Sequence, residues 1–449
     1  MAAAEMMTPP PTPSDSRANR DILRVMENTT LGWVALVGIC FLILNAAVAT
    51  VFYQVYEGLG IAGYSHPIFW GVYIVTFVFW VGIAHAGTLI SAILYLFRAK
   101  WRNAINRSAE AMTVIAVITA MQFLGIHVGR VWKSYFILPY PNQRGLWVNF
   151  KSPLMWDTFA ISTYGTISAV FLFVGMIPDL AIARDRATGP RKVLYTLLAL
   201  GWQGTSKQWK AHNRTVLHLS GLATPLVLSV HSVVSWDFAM SIVPGWHATI
   251  FAPYFVAGAI FSGFAMVLTV LIPVRRIYGL ERYLTLYHFD MMARFILLTS
   301  LIVGYSYAIE YFVAWYSGVE AEKSSFWLRA FGPYWISTWA MIIPNVVIPQ
   351  IFWFKWARQS IPILFVVSVF VNIGMWFERY VIIITGLSRE YVPSVWGVYT
   401  PSIPELIVLA GSFGLFGFAF LLFIKLFPVI AIAEVKELEI HDKAHGGAH

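Results

Sequence analysis

The stretch ATIFAPYFVAGAIFSGFAMVLTVLIP, residues 248–273, carries no Asp, Glu, Lys or Arg. A helix needs roughly 20 mostly apolar residues to cross the hydrocarbon core of a bilayer, so this stretch is long enough to span it. Apolar runs of the same kind recur along the chain. The predicted spans are about 31–53, 67–97, 110–130, 155–179, 215–237, 248–273, 290–316, 334–353, 361–385 and 405–428. The sequence therefore predicts an all-α integral membrane protein with ten transmembrane helices.

The composition agrees with this fold class. The 449 residues are 58% hydrophobic and only 12% charged, whereas soluble proteins are about 25% charged. These values exclude a soluble globular domain, a disordered chain and a disulfide scaffold. Cys40 is the single cysteine, so no disulfide forms within the chain and no iron–sulfur cluster is held by four of its thiolates.

The basic residues gather on one side of the predicted membrane. Of the 31 Lys and Arg residues, 22 lie in the two tails and in the loops after every second span, and seven lie at the opposite ends; Arg294 and Arg379 lie within spans. Cytoplasmic loops carry an excess of Lys and Arg, so both termini are predicted to be cytoplasmic. The net charge of +9 is then a topology signal, and no nucleic acid is expected as a partner.

Three segments are predicted along the chain. Residues 1–30 are polar and rich in Pro and Ser, and they lack the basic start and apolar core of a signal peptide. They are expected to form a disordered cytoplasmic tail. Residues 31–430 form the ten-helix transmembrane domain, and residues 431–449 form a cytoplasmic C-terminal tail.

Near 180–214 an apolar stripe lies among basic residues, which suits a helix lying flat in the cytoplasmic interface; an ordinary basic loop is the alternative. The stripe comprises Val193, Leu194, Leu197, Leu198 and Trp202.

A loose internal echo indicates a duplication. The span ending near residue 237 closes with Trp236-Asp237, and the span ending near 385 contains Trp376-Phe377-Glu378-Arg379. The echo predicts two four-helix bundles of the same orientation, one at about 67–237 and one at about 248–385. The first and last spans flank them.

Ionisable side chains within a membrane are costly, and they are functional candidates until a structural partner is found. One group lies at the outer ends of five spans. A histidine or carboxylate in a water-poor cavity is a suitable proton acceptor, so the group suggests proton-coupled quinol chemistry. Trp156 and Trp236 are candidate walls for the quinol ring, although each tryptophan can equally belong to the interface belt. The outer group comprises His127, Asp157, His231, Asp237, Glu310, Glu378 and Arg379.

A second group lies deeper or towards the cytoplasm, where it suggests a proton half-channel. Asp290 and Arg294 are spaced i, i+4, so they can instead pair with each other. His218 and His231 share one span 13 residues apart, which turns their side chains by about 220° and makes a di-haem arrangement unsuitable. No haem or resident metal is predicted. The deeper group comprises His85, Asp179, His218, His288, Asp290 and Arg294.

Five stretches resemble the NrfD/PsrC-like family of quinone-interacting membrane subunits. They are TPLVLSVHSVVSWDFA (224–239), SPLMWDTFAISTY (152–164), PGWHATIFAPY (244–254), YHFDMMAR (287–294) and SYAIEYFVAWY (306–316). The last of these points more narrowly to the ActC-type subunit of alternative complex III, a quinol oxidoreductase. The resemblance covers about residues 30–430.

This resemblance implies ten helices in two four-helix bundles, with no haem or iron–sulfur cluster of the chain's own. It implies a pocket near the periplasmic face that binds and oxidises quinol, with menaquinol as the expected substrate. The pocket residues of the ActC-type subunit are matched here by His127, Asp157, Asp237 and Arg379. Proton routes proposed in that family correspond here to further polar residues of the spans, which are His85, His218, His231, Asp290, Arg294, Glu310 and Glu378.

The implied assembly lies in a bacterial inner membrane. Its expected partners are a periplasmic iron–sulfur subunit that receives the electrons, a homologous NrfD-like membrane subunit and multihaem cytochrome c subunits. Proton translocation is an expected accompaniment. The candidate docking surface for the iron–sulfur partner is the outer loop at 131–154 and its edge, with Arg130, Lys133, Asn142, Gln143, Arg144 and Lys151.

Three alternatives remain open. The chain can be the anchor of another respiratory enzyme, such as a polysulfide or nitrite reductase. It can be a redox-inactive transporter or proton channel, which would need discontinuous helices and a midplane site. It can also be a purely structural anchor, although such an anchor would not explain acidic or His-bearing ends of five spans on one side.

Overall fold

The computed structural model describes residues 17–138 and 152–436. Thirteen helices of eight or more residues organise this part of the chain. They are α1 (Arg17–Glu27), α2 (Leu31–Glu57), α3 (Val72–Leu96), α4 (Asn106–Val128), α5 (Pro153–Arg186), α6 (Gly189–Leu198), α7 (Ser206–Ala239), α8 (Phe251–Tyr278), α9 (Leu286–Tyr316), α10 (Glu320–Phe331), α11 (Trp335–Trp353), α12 (Ile361–Thr385) and α13 (Ile403–Leu426).

Ten of these helices are long and apolar enough to cross a membrane: α2–α5, α7–α9 and α11–α13. The predicted all-α, ten-span integral membrane fold is confirmed. The helices α5 and α7 have 34 residues each and rise about 51 Å, well beyond a hydrocarbon core of about 30 Å. The start of α7 lies at Ser206 rather than near 215 because Thr205 caps it, with Gln208 completing a capping box.

Within each half of the molecule, spans that are consecutive in the chain pack against one another. The helix α4 lies between α3 and α5, α5 packs on α7, and α7 returns to the inner part of α3. In the second half, α8 packs on α9 and α12, and α11 lies against both of those. The two halves meet where α8 packs on α3 and α7, while α2 lies along α13. The outer ends of α4, α5 and α7 therefore come close together.

The helix α1 lies within the tail that the sequence predicts to be disordered. Its apolar side chains, including Ile22 and Leu23, are buried. The helix packs on α13, where the amine of Lys425 donates to the Val25 carbonyl at 2.7 Å and to the Asn28 carbonyl. Amphipathic spacing and this capture of backbone carbonyls explain why residues 17–27 are ordered. Residues 1–16 and 437–449, where the rest of the two tails is predicted, lie outside the described residues.

The predicted interface segment near 180–214 contains the helix α6. Val193 and Leu197 are 62% and 68% exposed, whereas Tyr195 is buried and its hydroxyl donates to the Leu426 carbonyl at 2.9 Å. One face of α6 is thus attached to α13 and the other presents apolar side chains outward. This arrangement agrees with the predicted helix, and its place in the membrane interface stays a prediction.

Three spans contain a π-helical turn: α3 at Leu89–Ile93, α11 at Ile343–Val347 and α12 at Val381–Thr385. Such turns are rare in proteins, and those that occur are often found at functional sites. In α12 the turn begins two residues after Arg379. The Trp246 indole donates to the carbonyl of Ile382 in this turn at 2.7 Å, which joins the turn to the connection between α7 and α8.

Candidate functional site

The centre of the site is a pair of aspartates at the outer ends of α5 and α7. Asp157 lies one turn into α5 and Asp237 lies in the last turn of α7, and the two helices pack side by side. Their carboxyl groups are within hydrogen-bonding reach of each other. Asp157 is 4% exposed, and Oδ1 of each residue has no hydrogen-bond partner among the described residues. An ionised carboxylate only accepts hydrogen bonds, so such a pair is built to hold and exchange a proton.

Two tryptophans flank this pair. Trp156 and Trp236 are the chain neighbours of the aspartates, and their rings meet edge to face at 6.0 Å with an angle of 83°. Trp236 is 36% exposed. The structure therefore brings four of the predicted site residues, Asp157, Asp237, Trp156 and Trp236, together as one group.

His127 closes α4 at the same outer level. Its Nδ1 lies 3.5 Å from the hydroxyl oxygen of Tyr64, and the two rings meet at 6.0 Å and 69°. Tyr64 lies in the connection between α2 and α3, a segment in which the sequence analysis names no candidate. In the sequence, Tyr64 is marked only by being an aromatic residue between the outer ends of two predicted spans.

Arg379, in the last α-helical turn of α12, is 1% exposed. Its Nη1 lies 2.9 Å from Oε1 of Glu378, and its guanidinium lies 4.3 Å from the centroid of the Phe255 ring. The approach to Glu378 has the distance of an ion pair but not the angle of a hydrogen bond. Within the described residues, Nη1 and Nη2 therefore have no hydrogen-bond acceptor. Glu378 accepts a hydrogen bond from Tyr307, whose oxygen accepts from Asn345 Nδ2 at 2.9 Å.

The arginine belongs to a second group rather than to the aspartate pair. No hydrogen bond or ion pair joins Arg379 to Asp157 or Asp237 within the described residues. Its positive charge instead lies close enough to act on His231.

His231 contacts His85, which the sequence places in the deeper group. Their ring centroids are 3.7 Å apart with an angle of 63°, and both side chains are fully buried. Nε2 of His85 contacts the Val227 carbonyl. Nδ1 of His85 and both ring nitrogens of His231 have no hydrogen-bond partner among the described residues. The pair joins α3 to α7 next to Arg379.

Glu310, near the outer end of α9, is buried with Oε1 unpartnered among the described residues. Its electrostatic neighbours are Arg329 and Glu378. A cavity of about 210 Å³ lies beside Glu310. Its other lining residues include Gly245, His247, Thr249, Glu322 and Phe326.

Arg329 is a site residue that the sequence analysis counts only among the outer basic residues. It lies on α10, is 3% exposed, and its Nε and Nη2 have no partner among the described residues. Its guanidinium lies 4.3 Å from the centroid of the Phe326 ring. Phe326, Arg329 and Ala330 follow the i, i+3, i+4 spacing of one helix face. This spacing is the signal in the sequence that Arg329 points inward.

The remaining deeper residues have structural partners or face outward. Asp290 pairs with Arg294 at 2.7 Å, which confirms the i, i+4 interpretation, and also with Arg358 at 2.8 Å. His288 caps α9 by accepting from the Thr285 amide at 3.1 Å. His218 is exposed, and its Nδ1 contacts the Arg214 carbonyl at 2.7 Å.

Part of the predicted docking surface is described. Arg130 and Lys133 are exposed beside the outer end of α4. Asn142, Gln143, Arg144 and Lys151 lie outside the described residues. Within residues 17–138 and 152–436, no three His, Cys, Asp or Glu side chains are arranged to hold a metal ion.

A family model described as "Polysulphide reductase, NrfD" matches residues 60–389. The chain belongs to the NrfD family. The match contains every predicted site residue, and it confirms the resemblance drawn from the sequence. NrfD subunits interact with quinones in the membrane and serve respiratory oxidoreductases, and this multi-pass chain is such a subunit.

Three curated relatives of this NrfD subunit match nearly its whole length. A putative membrane subunit of a dimethyl sulfoxide reductase, from Halobacterium salinarum, is 25% identical, covering 88% of this chain and 91% of its own. A selenate reductase subunit of Mesobacillus selenatarsenatis is 20% identical, covering 95% and 98%. An "Hdr-like menaquinol oxidoreductase integral membrane subunit" of Archaeoglobus fulgidus is 22% identical, covering 92% and 98%.

Proposed function

We propose that this NrfD subunit binds and oxidises quinol, with menaquinol as the substrate, in an oxidoreductase of the alternative complex III type. The observation that carries the proposal is the pair formed at the outer helix ends by buried Asp157 and half-buried Asp237. The name of the Archaeoglobus relative, a menaquinol oxidoreductase subunit, supports the choice of substrate. The bias of basic residues supports cytoplasmic termini, so the pair faces the periplasm of a bacterial inner membrane.

Oxidation of one quinol breaks two O–H bonds and releases two protons and two electrons. The electrons leave to oxidised iron–sulfur clusters of a periplasmic partner subunit. The Asp157–Asp237 pair accepts the protons in succession and passes them on, because its two oxygens without partners are available to a quinol hydroxyl. We propose that His127 completes the same quinol site and that Trp156 and Trp236 form its aromatic wall.

Arg379 has a different role in this proposal from the aspartates. Its Nη1 and Nη2 nitrogens, which have no acceptors among the described residues, can hydrogen-bond a quinol oxygen, and its guanidinium lies beside the carboxyl group of Glu378. Two sets of polar side chains start from there. His231 and His85 lie in the first half of the molecule, and Glu378 and Glu310 lie in the second. We propose these four residues as proton-transfer sites. His218, Asp290 and Arg294 stay outside the route because of the contacts described above.

The helix neighbours support an arrangement of two four-helix bundles, α3, α4, α5 and α7 in one and α8, α9, α11 and α12 in the other. We propose an assembly with the iron–sulfur subunit above the first bundle, a homologous NrfD-like subunit in the membrane and multihaem cytochrome c subunits. The exposed Arg130 and Lys133 mark the start of the docking surface.

The decisive experiment is Asp157→Asn in the intact purified complex. Positioned general bases contribute about 10²- to 10⁴-fold, so we expect quinol oxidation to fall by at least about 100-fold while the complex still assembles. The matched control is Asp185→Asn, which changes a 67% exposed side chain at the inner end of the same helix. That control should turn over at the wild-type rate. Wild-type turnover in Asp157→Asn would remove the aspartate pair from the mechanism.

A second candidate is the quinone-interacting anchor of a reductase, and the names of the Halobacterium and Mesobacillus relatives favour it. Purification of the chain from native membranes separates the two. A co-purifying multihaem cytochrome c supports the alternative complex III type. A terminal reductase in its place would favour the second candidate, in which the electrons of quinol pass to that reductase.

A further inference from the structure

The contact between Tyr64 and His127 bears on a question that the proposed function leaves open, namely what His127 does when quinol is bound. His127 meets Tyr64 through Nδ1, at 3.5 Å from the hydroxyl oxygen. This distance is longer than that of a usual hydrogen bond, and contacts of this kind at active sites often tighten when a substrate is bound. The other ring nitrogen, Nε2, is the one left for a ligand.

The direction of this hydrogen bond follows from the other neighbours of Tyr64. The Gly71 amide lies near the Tyr64 hydroxyl oxygen, which favours that oxygen as an acceptor on this side. Burial, together with the nearby carboxylate of Glu405, raises the pKa of Tyr64 above its usual range. The hydroxyl therefore keeps its single proton, which is then available to Nδ1 of His127.

Both sides of the contact are anchored by neighbouring residues. The Tyr64 ring packs edge to face on Tyr73 at 6.0 Å and 83°. The Tyr73 hydroxyl donates to Gln54 Oε1 at 2.6 Å, and Gln54 Nε2 donates to the Ile126 carbonyl at 3.0 Å. Ile126 directly precedes His127 in the chain. The site histidine and its tyrosine are thus held by one buried network.

The last span holds the same contact from the other side. Glu405, at the start of α13, accepts from the amide of Gly63 at 2.8 Å, and Gly63 directly precedes Tyr64. The second oxygen of Glu405 accepts from the Tyr399 hydroxyl, whose oxygen in turn accepts from the Val72 amide at 3.1 Å. The helices α2 and α13, which flank the predicted bundles, therefore position His127.

A histidine whose Nδ1 accepts a hydrogen bond carries its proton on Nε2. We propose that Tyr64 fixes this tautomer, so that His127 donates an Nε2–H hydrogen bond to a quinol oxygen and leaves proton uptake to the aspartate pair. This inference rests on the proposed function. In the step itself, the two quinol O–H bonds break in succession, both protons pass to the Asp157–Asp237 pair, and two electrons leave to the oxidised iron–sulfur clusters of the partner. His127 keeps its proton throughout, and Tyr64 is a positioning residue.

The test compares two substitutions of His127 in the intact complex. His127→Gln places an amide N–H near the position of Nε2 but cannot act as a base, whereas His127→Leu removes both properties. We expect His127→Gln to retain kcat within about tenfold of wild type, since an N–H donor remains. His127→Leu should lose more, mainly in kcat. If His127→Gln is as inactive as His127→Leu while Asp157→Asn is also inactive, His127 is a proton acceptor and only this inference falls.

Tyr64→Phe tests the positioning role. Loss of one neutral hydrogen bond corresponds to about a two- to twelvefold change, and we expect a decrease of that size in kcat with KM unchanged. The same substitution added to His127→Gln should have no further effect, because an amide has no tautomer to fix. The control Tyr195→Phe removes a hydroxyl bonded to a backbone carbonyl near the inner end of α13 and should leave kcat unchanged. Additive effects of Tyr64→Phe and His127→Gln would overturn the assignment. Wild-type turnover in both His127→Leu and Asp157→Asn would instead overturn the proposed function.

Discussion

Two buried aspartates of the same helix, α5, have opposite surroundings. Asp179, near the inner end, accepts from Arg107 Nη2 at 3.1 Å and from the Ala433 amide at 3.0 Å. Asp157, near the outer end, meets Asp237 and has an oxygen without a partner among the described residues. A buried charge that is paired and hydrogen-bonded stabilises one structure, whereas a buried carboxyl without compensation is kept for chemistry.

In the inner cluster both terminal nitrogens of Arg107 have hydrogen-bond partners, and only its Nε has none among the described residues. Arg107 Nη1 reaches Glu110 and the Leu172 carbonyl, both at 3.2 Å, and Nη2 reaches the Gly175 carbonyl at 2.7 Å. Arg107 and Asp179 are almost inaccessible to solvent. The sequence analysis places Asp179 in a candidate proton channel, but these contacts give it a structural partner. Depth in the membrane therefore does not distinguish a functional buried charge from a structural one, whereas the presence of hydrogen-bond partners does.

The largest expected effect breaks the inner cluster. Arg107→Met would leave Glu110 and Asp179 buried without a cation, which costs about 3–5 kcal/mol. We expect a marked loss of assembled complex and a lower Tm in a thermal-shift measurement. Arg184→Met is the control, since it changes a partly exposed arginine whose partner Asp185 is mostly in solvent, and such pairs contribute at most about 1 kcal/mol. An unchanged Tm in Arg107→Met would mean that the inner cluster is not structural.

The second effect concerns the arginine of the outer side. Arg379→Gln would remove a charged donor facing the proposed quinol oxygen, and hydrogen bonds to charged groups contribute about 1.5–3 kcal/mol. We expect kcat/KM for quinol to fall about 10- to 100-fold, with the complex still assembled. Steady-state quinol oxidation at several quinol concentrations measures this change. A loss of assembly with unaltered turnover per complex would make Arg379 the counterpart of Arg107.

The third effect places the two aspartates of α5 side by side. Asp179→Asn would weaken the contacts to Arg107 and the Ala433 amide, a loss of about 1–3 kcal/mol that should lower the Tm. Asp157→Asn should leave the Tm nearly unchanged, because an amide can donate to Asp237. Thermal unfolding of the two purified variants checks the difference. Equal shifts in Tm would mean that Asp157 and Asp179 do not differ in their contribution to stability.

The smallest effect concerns Asp290, which has two arginines. Arg294 is 56% exposed, whereas Arg358 is 14% exposed and also donates to the Phe352 carbonyl at 2.6 Å. Arg294→Gln should therefore cost less than about 1 kcal/mol and leave turnover unchanged, while Arg358→Gln should lower the Tm more. Loss of turnover in Arg294→Gln would return Asp290 and Arg294 to the proton route.

Some parts of the site follow from local sequence and others do not. The inward direction of Arg329 is readable from its spacing to Phe326 and Ala330, and the ion pair of Asp290 with Arg294 is readable from helix geometry. The contact of His231 with His85 joins positions far apart in the chain. Such a contact depends on how α3 and α7 pack, which a single sequence does not specify. The order in residues 17–27 depends in the same way on Lys425 of α13.

The sequence by itself determined the ten spans, because a bilayer requires long apolar runs whose backbone hydrogen bonds close within each helix. It also determined the family, because the motifs around Asp157, Asp237 and Asp290 are continuous stretches of chain. The tertiary structure decided which buried charges are compensated. Asp179 receives Arg107 and the Ala433 amide from segments far apart in the chain, whereas Asp157 receives another carboxyl group. Partners of buried polar groups are set by helix packing, since the residues that satisfy them come from helices that are distant in sequence.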